Sequence, residues 1–525
     1  MIYRPGLIKY LGISFAVVFF LFGCSSGGGD TDAGGGGGGT TGSGSTVIPA
    51  QGTVAPPGTL GPLVDIGDLV NDGENWYETR VMGLGENDNV VGQTTVAGGP
   101  VKGAYLWDEN NVPPMTFLGI HGQGGLAGVI AYNNGELVAD PTKEVNPFRY
   151  SEAVAVGPNG EVICNSTTGT DWPDEKEKRA FYWNGVTQID LPPDESDADP
   201  AKWGQFSEAF DINSDIITFS AEYLEKGGDI LAFGYAINNV SRPAFPDYAA
   251  GDIFGLAQII GAGIVEPVDI NNNNEAITNS VDTTVVFDDR ISAGLADLGA
   301  LAELTGLAGG QATVGAAIND HPGTGYVAGT TGNKAFFWNG GSMVSCGDLG
   351  GGTSEATDLN DPINPNIKAQ VVGNSTTASG DTHAFVWQLN ASGHGVMTDL
   401  GTLGGANSWA VDINNNGLIV GRAETGATYT EGGLTYNVVH ACAWYNNVIY
   451  DLGIHSNFYA YDLANPFPFS EAIAVNENNR LAGNSYIPNE HYRGFVLQAV
   501  LPSTRGRLYY RRISIPRAKP RGIYF

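Results

Sequence analysis

The sequence predicts an all-β chain: a β-propeller of four-stranded blades, eight in number, with seven as the runner-up. Three observations carry that prediction. A pattern of short apolar runs and turn residues, clearest in residues 399–421 (DLGTLGGANSWAVDINNNGLIVG), returns along most of the chain. Glycine accounts for 76 of 525 residues, as many tight turns require, and helical periodicity is nearly absent. The first and last segments of the repeat region are each incomplete, and each supplies what the other lacks.

Within one repeat, AVDIN (410–414) and LIVG (418–421) are β-prone runs joined by Asn415, Asn416 and Gly417, residues that tolerate positive φ. This is a strong hairpin signal. A third run, HAFVW (383–387), puts His383, Phe385 and Trp387 on one face and Ala384 and Val386 on the other. Bulky on one side and small on the other suits a sheet packed by a neighbour on each face. A fourth run carries Asp399, Leu400 and Gly401, and Gly404 with Gly405 turns the chain towards the next hairpin. Four short antiparallel strands repeated radially are the signature of a propeller.

Taken in order, the units begin near residues 80, 151, 207, 267, 312, 354, 408 and 470. Units 3 and 4 are degenerate, which is why seven blades is the runner-up. Unit 3 is expected to take its fourth strand from 254–260. Unit 8 has SEAIAVNENNRLAGNS (470–485) and RGFVLQ (493–498) but no DLG strand, whereas LVDIGDL (63–69) is a DLG strand with no hairpin before it. Residues 63–69 are therefore expected to complete unit 8 and close the ring, removing exposed sheet edges.

The His383, Ala384, Phe385 triplet and its surroundings resemble the bacterial extracellular HAF-repeat family, over residues 64–500. The resemblance implies an exported repeat protein of largely undefined activity, and it brings no catalytic residues. A more distant similarity to kelch propellers, in the Gly-Gly pair and the later Trp, implies shared architecture only.

At the N-terminus, Arg4 and Lys9 precede an apolar run, 11–22, too short to span a bilayer permanently. It ends in Leu21-Phe22-Gly23-Cys24, which looks like a lipobox, so Cys24 is the expected lipidation site and the anchor to the membrane. Ser25 and Ser26 follow, with no Asp at the second mature position, which favours the outer membrane or cell surface. The expected organisation is a signal peptide at 1–23, a Gly/Ser-rich tether at 24–60, the propeller at 61–502 and a basic tail at 503–525. From Cys24 to Val64, such a tether has an r.m.s. reach of roughly 35 Å. The tail reads as a disordered extension, with capture of anionic lipid or polyanion as the alternative.

Acidic residues exceed basic ones by 31, and seven of the basic ones lie between Arg505 and Arg521. The body is thus more acidic than the total, which argues against nucleic acid as a partner. Cys164, Cys346 and Cys442 stand at unmatched positions and read as buried apolar residues. That arrangement argues against a disulfide framework. The expected state is a monomer without cofactors.

Asp412, Asn414, Asn416 and Gly417 match the first half of a calcium loop, the one cofactor candidate. The twelfth position holds Ala423, with Glu424 one place late; unit 4 has Asn274 for the Gly, and Ala155 and Ala474 replace the Asp elsewhere. What the units share is the turn, so a hairpin is the reading and calcium the alternative. His383 and His440 are expected to hold a neighbouring backbone group at a strand edge, and His121 and His455 are judged alike. No G-x-S-x-G elbow between a strand and a helix, no HExxH and no phosphate loop is found, and the acidic runs 171–178 and 192–200 read as solvated loops.

The expected function is a binding module for an unknown protein or glycan, in adhesion, ligand capture or assembly. Its recognition face would come from the inserts 140–150, 171–178, 192–206, 242–252, 424–438 and 456–469. The alternatives are a polysaccharide hydrolase or lyase with carboxylates from several blades, and a structural envelope protein. Charged side chains converging at a channel mouth would favour the enzyme, and a mouth of Asn and Gly turns the binding module.

Overall fold

The computed structural model describes residues 46–48, 53–55, 59–67, 78–95, 102–111, 113–119, 130–133, 136–139, 151–167, 178–192, 203–223, 229–238, 249–255, 266–279, 284–288, 296–297, 313–321, 325–361, 369–390, 392–431, 433–453, 469–487 and 491–501. Among them are 36 strands and no helix. The chain is all-β.

The strands form antiparallel four-stranded units in chain order. Unit 1 comprises Thr79–Leu84, Val90–Thr95, Lys102–Trp107 and Met115–Gly119, and unit 2 Ser151–Val156, Val162–Thr167, Lys178–Trp183 and Gln188–Leu191. A separate hairpin, Ile130–Asn133 with Glu136–Ala139, lies between them in sequence. Unit 3 has Trp203–Ile212, Ile216–Tyr223, Asp229–Ala236 and Ile253–Gly255; its fourth strand starts one residue before the expected 254–260. Unit 4 has Glu266–Ile270, Glu275–Asn279, Thr284–Asp288 and Ala296–Asp297, and unit 5 Thr313–Ile318, Val327–Thr331, Lys334–Trp338 and Met343–Gly347.

Unit 6 has Gly350–Leu359, Gln370–Thr377, Thr382–Leu389 and Gly395–Asp399, and unit 7 Ser408–Ile413, Ile419–Glu431, Leu434–Tyr445 and Val448–Gly453. Unit 8 has Phe469–Val475, Arg480–Ile487 and His491–Gln498; its fourth strand is Val64–Asp65, antiparallel to the third in the register Val64 with Val496 and Asp65 with Phe495. The pairing of Val439 with Phe469 joins units 7 and 8 into one larger sheet.

Order begins earlier than the composition of 24–60 suggests. Thr46–Ile48 adds a parallel fifth strand to unit 6, and Thr53–Ala55 does the same for unit 7. Both segments are rich in β-branched residues, and both cover outer edges that would otherwise present unpaired backbone. Leu60, 2% exposed, packs with Leu418, Tyr450 and Leu497, tying this segment to the core of units 7 and 8.

The third-strand faces divide as the alternation requires. Phe385 and Trp387 pack with Phe337 of unit 5, whereas Ala384 lies with Ala410, Cys442 and Trp444 of unit 7. Each apolar layer therefore lies between two units. Cys164, Cys346 and Cys442 are free and fully buried in these layers, and burial pushes their thiols well above the usual range.

Side-chain amides stitch unit to unit. Asn165 exchanges two hydrogen bonds with the backbone of Ala209 (2.8 and 3.1 Å), Asn279 with Gly315 (2.9 and 3.0 Å) and Asn484 with Val81 (2.8 and 3.1 Å). The last of these joins unit 8 to unit 1. The serine that opens a unit accepts the N–H of the third-strand alanine of the preceding unit: Ser151 from Ala104, Ser354 from Ala335, Ser470 from Ala441, at 2.8 to 2.9 Å. The ladder shifts register at each of these alanines, so the serine satisfies an N–H that the fourth strand leaves over.

Candidate functional site

Each unit has two ends. The turn between its first two strands and the turn between its last two lie at one, the turn end; its other connections lie at the opposite end.

The turn end is built from the residues that suggested calcium. The Asn414 Oδ1 accepts the N–H groups of Asn416 (3.1 Å) and Leu418 (3.0 Å), closing its own hairpin. Its Nδ2 donates to the Asn476 carbonyl in unit 8 at 2.8 Å. The same link recurs from Asn213 to Asn271, Asn271 to Asn319, Asn319 to Asn360, Asn360 to Asn414 and Asn476 to Gly85, at 2.7 to 3.2 Å. Asn416 donates to the Glu477 carbonyl and to Asn479 Oδ1. Asp412 accepts Ile413 N–H (2.7 Å) through one oxygen and Val475 N–H (2.8 Å) of the next unit through the other.

Asp412, Asn414 and Asn416 thus come together as an inter-unit clamp, with the Asp412 and Asn414 oxygens engaged by backbone N–H groups. Glu424, one place late for a calcium ligand, accepts from Ala406, Asn407 and Asn437 instead. The turn needs positive φ where Gly417 (76°) stands, and Asn274 (63°) and Asn479 (60°) adopt it too. Hence the Gly is dispensable.

Carboxylates crowd this end. Asp358 stands in unit 6 where Asp412 stands in unit 7, and its pKa is pushed well above the usual range, first by burial and then by the Asp412 charge. Glu86 and Glu477 are also held up, by burial first and then by their acidic neighbours, Asp412 among them.

His383 and His440 differ from expectation. Rather than serving mainly a backbone group, the Nδ1 of each lies 2.9 Å from the aspartate of its own DLG motif, Asp399 and Asp451. Lys334 pairs with Asp348 in the same way, and Arg493 with Asp65 at 2.9 Å. A His, Lys or Arg two residues before the Phe or Cys of the third strand and the DLG aspartate form one repeated pair, which the spacing alone did not reveal. The Asp also accepts the following glycine's N–H, as Asp399 does from Gly401 at 2.8 Å. His121 and His455 lie outside the described residues, as does Cys24.

The second end holds what differs between units. Five of the six inserts, 140–150, 171–178, 192–206, 424–438 and 456–469, connect strands here, and 242–252 connects strands at the turn end. Much of their length lies outside the described residues. Within 424–438, the second and third strands of unit 7 run on as a ribbon, with Tyr429 opposite Tyr436 and Glu431 opposite Leu434. The two Tyr rings stack at 5.2 Å, and Leu434 is 62% exposed.

Beside the ribbon, the residue after the opening Ser or Thr is Glu152, Glu208, Glu355 and Glu471 in units 2, 3, 6 and 8, but Arg80 in unit 1 and Trp409 in unit 7. Arg422 lies over the Trp409 ring (5.0 Å to its centroid) and pairs with Glu471 at 3.0 Å. Arg80 lies over Tyr492 at 5.3 Å. Burial raises the pKa of Glu471, opposed by the charges of Arg422 and Arg80; burial likewise raises Glu152, opposed by Lys178 and Arg80. Lys178 itself pairs with Glu208 at 2.5 Å. Arg80 and Trp409, which depart from Glu here as Val314 does in unit 5, were the sequence signal for this cluster.

No family model matches the chain, and no curated protein matches it. Solved structures give low-scoring likenesses. A puromycin-hydrolyzing peptidase of Mycobacterium tuberculosis aligns at 11% identity and a TM-score of 0.32, over 64% of this chain and 49% of its own. The chain therefore spans about half the length of that peptidase. A polysaccharide lyase, an ulvan lyase of family PL25, aligns at 9% identity and a TM-score of 0.33, over 87% of this chain and 98% of its own. A protein of unknown function from Dyadobacter fermentans aligns at 13% identity and a TM-score of 0.26, over 66% and 93%. At these scores none of the likenesses bears on what this chain does.

Proposed function

We propose that the chain is an exported lipoprotein of the HAF-repeat type, anchored through Cys24 to the outer membrane or cell surface. Its eight units form a closed propeller that serves as a binding module for a protein or glycan. One observation carries the reading. The polar residues that recur between units are engaged in holding neighbours together, as in the Asn414 to Asn476 link. The residues that break the repeat, Arg80, Trp409 and the Tyr429 and Tyr436 ribbon, gather at the opposite end with most of the inserts. Rigid repeated scaffold at one end and varied loops at the other is how binding faces are commonly built. A screen of the soluble chain against glycans and cell-envelope extracts, with calcium and with chelator, tests it. Saturable binding lost on Trp409→Ala and Arg80→Ala supports the reading, and a folded protein with no ligand in either set overturns it.

A second reading, a hydrolase or lyase acting on polysaccharide, draws on the Arg80 charge acting on both Glu152 and Glu471, carboxyls whose pKa burial raises. Turnover of acidic polysaccharides abolished by Glu152→Gln, with binding retained, would favour it.

A further inference from the structure

The first strand of unit 1 lies between those of units 8 and 2, and one register position recurs on all three. Glu471 pairs across its ladder with Asn484, Arg80 with Gln93 and Glu152 with Asn165. Trp409, on the unit 7 strand next in line, pairs with Arg422. Charges therefore alternate along this stretch, from Arg422 through Glu471, Arg80 and Glu152 to Lys178 and Glu208. The two ends of the row are joined, Arg422 to Glu471 at 3.0 Å and Lys178 to Glu208 at 2.5 Å. The link in the middle is open. Arg80 and Glu152 are half-buried, and among the described residues neither the guanidinium nor the carboxylate makes a hydrogen bond or an ion pair. The guanidinium rests on the Tyr492 ring, and its charge bears on Glu152 and Glu471 without touching either. Gln93, which stands where unit 7 has Arg422, donates to the Ser151 carbonyl at 3.2 Å instead of serving Glu152. Asn165, opposite Glu152, is committed to the Ala209 backbone.

A guanidinium offers only donors and an ionised carboxylate only acceptors, so a ligand that engages both must accept at one point and donate at the next. A hydroxyl does either. Two neighbouring hydroxyls on one sugar ring can serve Arg80 and Glu152 together without bringing a charge of their own. An anion on Arg80 would face the Glu152 and Glu471 carboxylates, and a cation on Glu152 would face Arg80 and Lys178, so like charge opposes both. Aromatic rings stand at the same end in the two preceding units: Tyr492 with Tyr486 at 5.3 Å in unit 8, and Trp409 with the stacked Tyr429 and Tyr436 in unit 7. Aromatic walls around a few placed polar groups are the usual make-up of a small-ligand site.

We propose that Arg80 and Glu152 form a hydroxyl-recognition pair for a neutral glycan, Arg80 donating to one sugar hydroxyl oxygen and Glu152 accepting from the next. The assignment rests on the binding-module reading and names the class of its ligand.

Calorimetry of the full chain tests it against neutral gluco-, manno- and galacto-oligosaccharides, with oligogalacturonate as the anionic probe, chitosan oligomers as the cationic one and alanyl-alanine as the zwitterion. Saturable binding of a neutral probe is expected, and it should change little between about 50 and about 500 mM salt, because no ion pair with the ligand is there to be screened. Glu152→Gln and Arg80→Gln should each weaken it by about ten- to a hundredfold, the loss of a hydrogen bond to a charged group, with the thermal midpoint of each variant measured alongside. Should Arg80→Gln fail to fold, Arg80→Lys keeps the charge between the two carboxylates, loses the planar fork and carries the same expectation. Tighter binding of oligogalacturonate, chitosan or alanyl-alanine than of every neutral probe overturns the ligand class, as does a folded chain that binds no neutral probe. Neutral binding that survives both Glu152→Gln and Arg80→Lys overturns the pair. In each of these cases a ligand found in the wider screen of envelope extracts would leave the binding module standing, so the two failures are told apart.

Discussion

Arg493 and Asp65, 428 positions apart in sequence, form an ion pair of 2.9 Å. It is the counterpart of His383 with Asp399 and of His440 with Asp451, except that here the DLG motif comes from the opposite end of the chain. Asp65 also accepts Gly67 N–H at 2.8 Å, completing the same local geometry. Asp65→Ala leaves the Arg493 guanidinium, 5% exposed, without this carboxylate and should cost about 1 to 3 kcal/mol. Deleting 63–69 should lower the thermal midpoint sharply. An unchanged midpoint in the deletion would sink the idea that this strand completes unit 8.

Arg422→Ala leaves the Glu471 carboxylate, 1% exposed, without its paired guanidinium, and breaking a buried pair typically costs about 3 to 5 kcal/mol. Glu471→Gln in the same chain should recover a large part of the loss. A double-mutant cycle by denaturant unfolding measures the coupling, and a coupling near zero would contradict the pair.

The amide of Asn414 donates to Asn476 O and to Asn479 Oδ1. Asn414→Asp presents an acceptor to acceptors and should destabilise by about 1 to 3 kcal/mol, because one buried and one half-buried bond lose their donor. Chelator should leave the midpoint of the wild-type chain unchanged, since backbone N–H groups already occupy the Asp412 and Asn414 oxygens. A chelator-dependent drop that Asn414→Asp abolishes would assign these residues to a cation after all.

Two groups should show pH signatures of the same sign. The Asp399 hydrogen bond raises the His383 pKa, so its contribution is complete below the unfolded value of about 6.5 and is lost as pH rises through the folded value. His383→Gln should therefore destabilise more at about pH 5.5 than at about pH 8.5. Burial and Asp412 raise the Asp358 pKa, so the wild-type chain loses stability as pH climbs from about 4 through the raised value. Asp358→Asn should be stabilising at about pH 8, with the advantage shrinking towards about pH 4. Thermal melts across this range check both, and pH-independent differences would refute the linkage.

Much of the architecture is written in local chemistry. The positive-φ turn at Gly417, the alternation in HAFVW and the missing DLG strand of unit 8 are each decided within a few residues by backbone sterics and side-chain period. They were legible for that reason. Thr46–Ile48 and Thr53–Ala55 were not, because three-residue strands beside a Gly-rich stretch carry too little periodicity and gain their order from edges hundreds of residues away.

The sequence by itself determined the strand pattern, the repeat length and the residues free to differ, because these follow from the conformational preferences of neighbouring residues. Only the tertiary structure decided what the recurring polar residues are for. Asn414 is a calcium-like ligand in isolation and a clamp once Asn476 stands beside it; His383 is a bare imidazole until Asp399 is brought to 2.9 Å. Tertiary packing likewise set Arg422 on Trp409 and Arg80 on Tyr492, contacts between strands whose spacing along the chain carries no record of their distance in space.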